Sequence, residues 1–328
     1  MLNPELNLNK KLFDEKVEEV PIRQGFGEGL LEAGEKDLNV VGLCADLVES
    51  TKMNLFAERF PNRFIEMGVA EQNMASVASG LAAMGKIPFI SSYATFSPGR
   101  NWEQIRTTIC YNNRPVKIIG SHTGISVGPD GGTHQAVEDI AITRVIPNMI
   151  VISPCDTYEA RKATLASVST GTPVYIRLAR EKTPVITTAS TPFKIGQAQI
   201  LWESDKPKVG IIATGSVVYQ ALKAARELEN QGISVDVMNL ATIKPLDEKA
   251  VTIFAKKTGR IVTVEEHQIR GGMGSCVAEC LAKNFPVPME FVGVDDKFGQ
   301  SGTPKELLRH YEMDSDGIIK AVQRIIKR

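Results

Sequence analysis

The sequence predicts an α/β protein with two domains, each a mostly parallel sheet with helices on both faces. Short apolar runs of the kind found in buried strands alternate with helix-like segments along most of the chain. Such alternation favours parallel sheets that are covered on both sides. The pattern dissolves in a Thr-, Pro- and Ser-rich stretch at 182–197, KTPVITTASTPFKIGQ, and then resumes. We therefore expect two sheets joined by a linker.

The first series of elements follows an N-terminal arm, residues 1–15. Apolar runs predict strands at 40–44, 64–67, 88–92, 116–120, 149–153 and 174–178. Helix patterns cover about 23–33, 72–81, 102–111 and 157–167. Placing the boundary near residue 190 makes the first domain 16–190 and the second 191–328.

The second domain repeats the alternation with fewer strands. They are predicted at 209–214, 235–239, 261–265 and 291–294. Helices of about ten to fifteen residues are expected between these strands and after the last. The two halves therefore share a fold class, although they show no obvious internal sequence repeat.

The composition is globular and gives no support for charged or membrane partners. Of 328 residues, 43% are hydrophobic and 23% charged, with 38 Lys and Arg against 38 Asp and Glu. A neutral balance does not favour nucleic acid or an anionic membrane. No apolar run reaches the roughly 18 residues that span a bilayer, and the polar N-terminus lacks the core of a secretory signal. We expect a cytoplasmic protein.

The cysteines predict neither disulfides nor a metal site. The five are odd in number and scattered, mostly in apolar segments: Cys44, Cys110, Cys155, Cys276 and Cys280. The last two would share a helix face, but two ligands do not make a zinc site. We expect buried thiols and no metal held by this chain.

Polar and aromatic residues follow the predicted strands of the first domain where each strand ends. They are Asp46, Ser50, Glu66, Glu71, Tyr93, Phe96, His122, Asp130, His134 and Arg180. In open α/β sheets, ligands bind beyond the carboxyl ends of the strands. This recurrence predicts a ligand site.

Glu71 has two interpretations. It opens an amphipathic helix whose apolar face carries Met74, Ala78 and Leu81. A carboxylate there can simply complement the positive end of the helix dipole. Alternatively, Glu71 belongs to the ligand site, since its neighbours are small and apolar and no basic residue lies near it in the sequence. The polar residues at the other strand ends favour the second interpretation.

The other candidates also have structural alternatives. The glycine-rich loop 121–133 between His122 and His134 either approaches a ligand or forms a surface turn. Tyr93 and Phe96 either stack on a flat ligand or plug the next helix, and the plug is favoured from these residues alone. Arg180 suits a phosphate, a carboxylate or a surface ion pair. A bound anion would help to explain Arg23 at a helix start, where the dipole disfavours a cation.

Three further motifs in the second domain are weaker. Gly271–Gly274 lacks the acidic residue of a dinucleotide site. For Thr214–Ser216, tight packing is favoured over anion binding. The cluster 265–267, Glu-Glu-His, can face an interface or a cation, and the sequence does not choose.

Taken together, the motifs resemble the transketolase family. They are ADL at 45–47, GVAEQ at 68–72, TF at 95–96, SHTG at 121–124, GPDGGTHQ at 128–135 and LAR at 178–180. Their order and spacing are similar to those of the pyrimidine-binding and C-terminal domains, and the resemblance covers nearly the whole chain from about residue 15. The related 1-deoxyxylulose-5-phosphate synthase is similar around residues 93–96, but His122 matches transketolase better.

The resemblance implies a thiamine diphosphate site and a role for each matching residue. Glu71 would bond N1′ of the aminopyrimidine and act as a catalytic residue, together with His134. Phe96 would stack on the pyrimidine, with Asp46 and Tyr93 also near the cofactor. Ser97–Gly99 stands where transketolases have further aromatics. The residues implied for the sugar phosphate and its hydroxyls are His122, Asp130, His134, Arg180, Arg23 and Ser50.

The resemblance also implies a partner. The family holds the diphosphate through Mg²⁺ or Ca²⁺ with a Gly-Asp-Gly…Asn motif, which this sequence lacks. We therefore expect the C-terminal subunit of a split transketolase in the pentose phosphate pathway. An N-terminal subunit would carry the diphosphate and metal site in an α2β2 heterotetramer. The chain alone would be inactive in transferring a two-carbon ketol unit between sugar phosphates.

Two other functions are compatible with the same residues. One is half of a different enzyme, either 1-deoxyxylulose-5-phosphate synthase or a 2-oxoacid dehydrogenase of the beta-subunit type. The other is a non-catalytic regulatory subunit that kept the fold.

Overall fold

The computed structural model describes residues 1–328 and contains two large sheets and a two-stranded ribbon. Strands and helices are numbered along the chain. The first sheet has seven strands, in the spatial order Thr242–Lys244 (β12), Ile150–Ile152 (β6), Val174–Leu178 (β7), Lys117–Ser121 (β5), Ile87–Tyr93 (β4), Val40–Cys44 (β2) and Phe64–Glu66 (β3). All neighbours are parallel except β12, which is antiparallel to β6.

The second sheet has five strands and is likewise mostly parallel. In spatial order they are Met289–Val294 (β14), Ile261–Gln268 (β13), Val209–Ala213 (β10), Val235–Asn239 (β11) and Gln199–Trp202 (β9). Only β9 runs antiparallel. The ribbon pairs Glu19–Pro21 (β1) with Lys182–Pro184 (β8). The predicted fold class is confirmed.

Helices connect the strands and cover both sheets. Their bounds are Ile22–Lys36 (α1), Asn54–Arg59 (α2), Glu71–Ala83 (α3), Trp102–Gln104 (α4), Asp139–Arg144 (α5), Thr157–Val168 (α6), Val218–Asn230 (α7), Glu248–Thr258 (α8), Met273–Asn284 (α9), Pro304–His310 (α10) and Ser315–Ile326 (α11). α4 continues as a π-helix, Ile105–Tyr111. No helix is both long enough and apolar enough to cross a membrane.

Local sequence signals explain where several helices begin and end. Asp156 accepts the backbone N–H of Glu159 and so caps α6. Thr303 and Glu306 form a capping box on α10. Gly259, at a φ of 69°, ends α8 in the left-handed region that glycine tolerates.

Three hydrophobic cores hold the layers together. One packs α1, α2 and α6 on one face of the first sheet. A second contains residues of both halves, among them Ile118 and Met238, and so lies between the two sheets. The third packs α7 and α11 on the second sheet and includes Leu8 and Leu12 of the N-terminal arm. The two halves therefore share apolar contacts rather than being joined by the linker alone.

The two connecting segments contact distant parts of the chain. Leu8 and Leu12 of the N-terminal arm are buried, and the N-terminal amine donates to the carbonyl of Glu203. The Thr-, Pro- and Ser-rich stretch at 182–197 contributes β8 to the ribbon, and β9 follows it in the second sheet. Both segments gain order from partners far away in the sequence, which local composition does not show.

A buried ion pair joins the first sheet to the second half of the chain. Arg177 on β7 donates from Nε to Asp139 Oδ2 at 2.9 Å and from Nη2 to the carbonyl of Glu266 at 2.7 Å. The hydroxyl of Tyr175 donates to the same Asp139 oxygen at 2.7 Å. Gly120 leaves room for Tyr175, because a Cβ there would lie 2.2 Å from its hydroxyl. This network fixes α5 and β13 against the sheet.

We expect Asp139→Asn to lower the free energy of unfolding by about 3–5 kcal/mol, because the Arg177 charge would stay buried without its partner. Asp295→Asn is the matched control, since Asp295 pairs with Arg270 on the surface. It should cost less than about 1 kcal/mol. Chemical denaturation of the two variants measures both values, and equal losses would contradict a structural role for the buried pair.

Candidate active site

The parallel register brings the carboxyl ends of four strands to one edge of the first sheet. Cys44 of β2 lies opposite Ser91 of β4, Tyr93 opposite Ser121 of β5, and Ser121 opposite Leu178 of β7. The segments that follow these strands, and the start of α3 after β3, carry the predicted site residues. The predicted site residues therefore lie along this edge of the sheet.

Glu71 is the first residue of α3, and its side chain is only 1% exposed. Its Oε2 accepts from Arg100 Nη1 at 2.7 Å, and its Oε1 lies 3.4 Å from the hydroxyl of Ser92. Asn101 donates to its carbonyl at 3.1 Å. No basic residue lies near Glu71 in the sequence, but Arg100 supplies a cation from 29 residues away, so the surroundings of Glu71 are not wholly apolar.

Arg100 also covers an aromatic ring. Its guanidinium carbon lies 4.6 Å from the ring centroid of Phe96. A turn makes this possible, because the backbone N–H of Ser97 donates to the carbonyl of Tyr93 and that of Arg100 to the carbonyl of Phe96. The Ser97-Pro98-Gly99 segment therefore returns the chain onto Phe96. The signal for this arrangement in the sequence is the Pro-Gly turn just before an arginine.

The aromatic residues of the edge form one cluster. Tyr93 stacks on His122 with centroids 3.8 Å apart and lies 6.1 Å from Phe96 in a stacked arrangement. His134 meets the edges of Tyr93 and Phe96 at 6.1 and 5.6 Å. Neither Tyr93 nor Phe96 belongs to a hydrophobic core. The interpretation of these rings as plugs for the next helix is therefore wrong.

Beside this cluster lie two arginines, of which only Arg180 forms an ion pair with a carboxylate. Arg23 Nη1 is 3.4 Å from His122 Nε2 and also donates to the carbonyl of Ser50, while its buried Nε has no partner. Burial and the nearby Arg180 lower the pKa of Arg23. Arg180 donates to the carbonyl of Val127 at 2.8 Å and to Glu181 at 3.0 Å. An anion placed between the two arginines would relieve their repulsion.

His122 is a neutral imidazole in this setting. Burial, followed by the charges of Arg23 and Arg180, lowers its pKa to about 2. Its Nδ1 is 2.9 Å from the hydroxyl of Ser121, which fixes the ring. His122 therefore adds no positive charge here, and its Nε2 faces the guanidinium of Arg23 as an acceptor.

The glycines of the loop 121–133 serve packing against the second half of the chain. Gly124, Gly128 and Gly131 have φ values of 77°, 86° and 74°, which other residues avoid. A Cβ on Gly124 would lie 2.4 Å from the carboxylate of Glu266, and one on Gly132 would lie 2.8 Å from the carbonyl of Gly299. These glycines therefore adopt conformations that other residues avoid, and they approach the second half of the chain closely.

The cluster 265–267 has structural roles. Glu265 accepts the N–H groups of Met273 and Gly274, so a carboxylate already caps the start of α9, where a dinucleotide phosphate would have to bind. Glu266 accepts from the N–H of Ser126 and, at 2.6 Å, from the hydroxyl of Ser216. It ties the glycine-rich loop to the second sheet. His267 Nδ1 is 2.7 Å from the carbonyl of Gln268.

Three predicted site residues do not join these clusters through their side chains. Asp46, at a φ of 55°, is exposed, and its N–H donates to Glu66. Asp130 is exposed on the loop. Ser50 contacts Arg23 only through its carbonyl. All five cysteines are free, and no group of three or more His, Cys, Asp or Glu side chains is arranged to hold a metal.

Family models match both halves of the chain. The model described as transketolase, pyrimidine binding domain, matches residues 18–185, and that described as transketolase, C-terminal domain, matches 196–318. A solved structure described as a split gene transketolase, inactive beta4 tetramer, superposes with a TM-score of 0.87 at 42% identity. That match covers 94% of this chain and 99% of the other.

Curated relatives agree with the family models. A putative transketolase C-terminal section from Methanocaldococcus jannaschii is 44% identical over 94% of this chain and 96% of its own length. The 6-deoxy-6-sulfo-D-fructose transketolase subunit SqwH of a Clostridium species is 42% identical over 96% and 98%. Human transketolase is 33% identical over 95% of this chain, which spans 50% of that protein. The chain belongs to the transketolase family and carries its pyrimidine-binding and C-terminal domains.

Proposed function

We propose that the chain is the C-terminal subunit of a thiamine diphosphate-dependent transketolase that transfers a two-carbon ketol unit between sugar phosphates. The main support for the proposal is the carboxyl edge of the first sheet. The two ends of this edge carry residues of different chemistry. At one end, the buried Glu71 faces a flat N–H donor that lies over Phe96. At the other, Arg23 and Arg180 lie near the neutral His122 and are suited to bind an anion.

The residues of the first end fit the cofactor's aminopyrimidine. The guanidinium of Arg100 is planar, carries N–H groups, covers Phe96 and bonds Glu71. An aminopyrimidine offers the same flat shape and can share a proton with the carboxylate. When bound, thiamine diphosphate supplies the electron sink for breaking and forming a carbon–carbon bond beside a ketose carbonyl. Glu71 would hold and move the proton at the pyrimidine, a role that a water-excluded carboxylate performs well.

The second end supports recognition of the sugar phosphate. Arg23 and Arg180 would bind the phosphate, and the neutral His122 would lie beside it next to Arg23. His134, at the edges of Tyr93 and Phe96, would contact substrate hydroxyls between the two ends and act as the second catalytic residue. Asp130 and Ser50 would complete the substrate site, and Asp46 and Tyr93 would lie near the cofactor.

A partner subunit belongs to the proposal. We infer that an N-terminal transketolase subunit holds the diphosphate through Mg²⁺ or Ca²⁺ and completes the site in an α2β2 assembly. Two of the relatives are named as a section or a subunit, and the similar solved structure is described as an inactive beta4 tetramer. The proposal places the enzyme in the cytoplasm and in the pentose phosphate pathway, with a domain division near residue 190.

The names of two relatives favour a second candidate for the donor. One is named for 6-deoxy-6-sulfo-D-fructose, and another, from Phocaeicola vulgatus at 36% identity, for apulose 4-phosphate. A sulfonate is also a tetrahedral anion that two arginines can bind. The second candidate is therefore a sulfonated or branched ketose at the same site.

We expect ketol transfer from xylulose 5-phosphate to ribose 5-phosphate only when this chain is mixed with the N-terminal subunit, thiamine diphosphate and Mg²⁺. Glu71→Gln should lower kcat in the mixture by about 10²–10⁴-fold, because an amide cannot exchange the proton. Glu58→Gln, at an exposed position of α2, should not change it.

Other results of this assay would exclude the proposal. Robust transfer by the chain alone would remove the need for a partner. Activity with pyruvate instead of ketose phosphates would favour an oxoacid enzyme or the deoxyxylulose phosphate synthase. A mixture whose activity is unaffected by Glu71→Gln would favour a regulatory subunit.

Arg180→Ala should raise KM for a phosphorylated donor roughly 10- to 100-fold, since it removes a charge-assisted hydrogen bond. The matched substrate control is an unphosphorylated ketose such as erythrulose, whose KM should not change. Steady-state kinetics of the reconstituted enzyme give both values. An equal loss for both ketoses would show that Arg180 acts by holding the carbonyl of Val127 and not by binding phosphate.

A further inference from the structure

We propose that Arg100 occupies the place of the cofactor's pyrimidine and must leave Glu71 before thiamine diphosphate can bind. The inference rests on the proposed function and deepens it. It makes Arg100 a residue that controls the affinity for the cofactor, although it is not itself a catalytic residue.

The geometry indicates that Arg100 and the pyrimidine would compete for the same contacts. The contacts that the pyrimidine needs, a carboxylate partner and an aromatic face, are the two that Arg100 makes. Its Nη1 is 2.7 Å from Glu71 Oε2, and its guanidinium carbon is 4.6 Å from the Phe96 centroid. Guanidinium and aminopyrimidine are both planar and both donate N–H bonds. The two groups cannot occupy this space together.

The charges explain why Arg100 is bound to Glu71. A carboxylate as buried as Glu71 needs a partner, and Arg100 is the cation bound to it. Paired in this way, Glu71 Oε2 is occupied by Arg100 and is not free for a ligand. Arg100 therefore stabilises the site in a form that cannot yet contact the cofactor. Exchange of Arg100 for the pyrimidine would release Glu71 Oε2 to the ligand.

The exposure of Arg100 indicates that its side chain can leave Glu71. The side chain of Arg100 is 45% exposed, against 1% for Glu71. A long side chain that already reaches solvent can turn outward and regain its hydration. Its hydrogen-bond partner and its ring partner both remain in place for the ligand. The free energy needed to break this ion pair then reduces the affinity for the cofactor.

The test is the affinity of thiamine diphosphate, with Mg²⁺, for the mixture of this chain and its N-terminal partner, measured by isothermal titration calorimetry. Arg100→Ala should bind the cofactor roughly tenfold more tightly than the native chain. Arg100→Lys should lie between them, because an ammonium keeps the charge but does not cover the ring. Arg106→Ala, at an exposed neighbouring position, is the matched control and should equal the native chain. Arg100→Gln, which keeps most of the side chain's length without its charge, replaces Arg100→Ala should the latter fail to fold.

Two results would overturn the inference while leaving the proposed function intact. If binding is lost with Glu71→Gln but Arg100→Ala binds no more tightly than the native chain, Arg100 does not compete for the site. If Arg100→Ala binds more weakly, Arg100 is a cofactor contact instead. Absence of binding in every mixture would overturn the proposed function and this inference together. Tenfold tighter binding confined to the Arg100 variants supports the inference.

Discussion

The buried charge of Arg177 is the constraint on which the arrangement of the site depends. A guanidinium that is buried away from water needs hydrogen-bond acceptors. Those of Arg177 are Asp139, the carbonyl of Ala136 and the carbonyl of Glu266. These acceptors come from the segment that follows the glycine-rich loop, from α5 and from the second sheet. The pairing therefore fixes the second half of the chain against the carboxyl edge of the first sheet.

The fixed frame allows the two ends of the edge to differ in charge. At one end, Glu71 is neutralised by Arg100, and the pair lies against an aromatic ring. At the other, Arg23 and Arg180 repel each other beside a neutral His122. A molecule with a flat, proton-sharing ring suits the first end, and an anionic sugar suits the second. The stack of Tyr93 with Phe96 and His122 connects them.

Local sequence patterns predicted those parts of the fold that depend on burial alone. The strands Val40–Cys44, Val174–Leu178 and Val235–Asn239 have the bounds expected from their apolar runs, because strands covered on both faces consist mostly of apolar residues. The docked arm and β12, which crosses from the second half into the first sheet, were not predictable in this way. Their order comes from contacts distant in sequence.

The site was predictable to a similar degree. The rule that ligands bind beyond the ends of parallel strands pointed to Tyr93, Phe96, His122 and Arg180. The structure places the segments that contain them together. Arg100 was missed, because its partner lies 29 residues away and no period or motif connects the two. The family resemblance assigned roles to residues, but it did not show what a buried carboxylate pairs with.

The central claim is that Glu71 moves a proton on the cofactor's pyrimidine. The most direct measurement is the exchange of the thiazolium C2 proton of thiamine diphosphate with deuterium, followed by NMR in the complex of this chain with its partner. The account predicts exchange at least about 100-fold faster than in the free cofactor, and a return towards the free rate in Glu71→Gln complexes saturated with cofactor. Exchange in the Glu71→Gln complex that is as fast as in the native complex would contradict it.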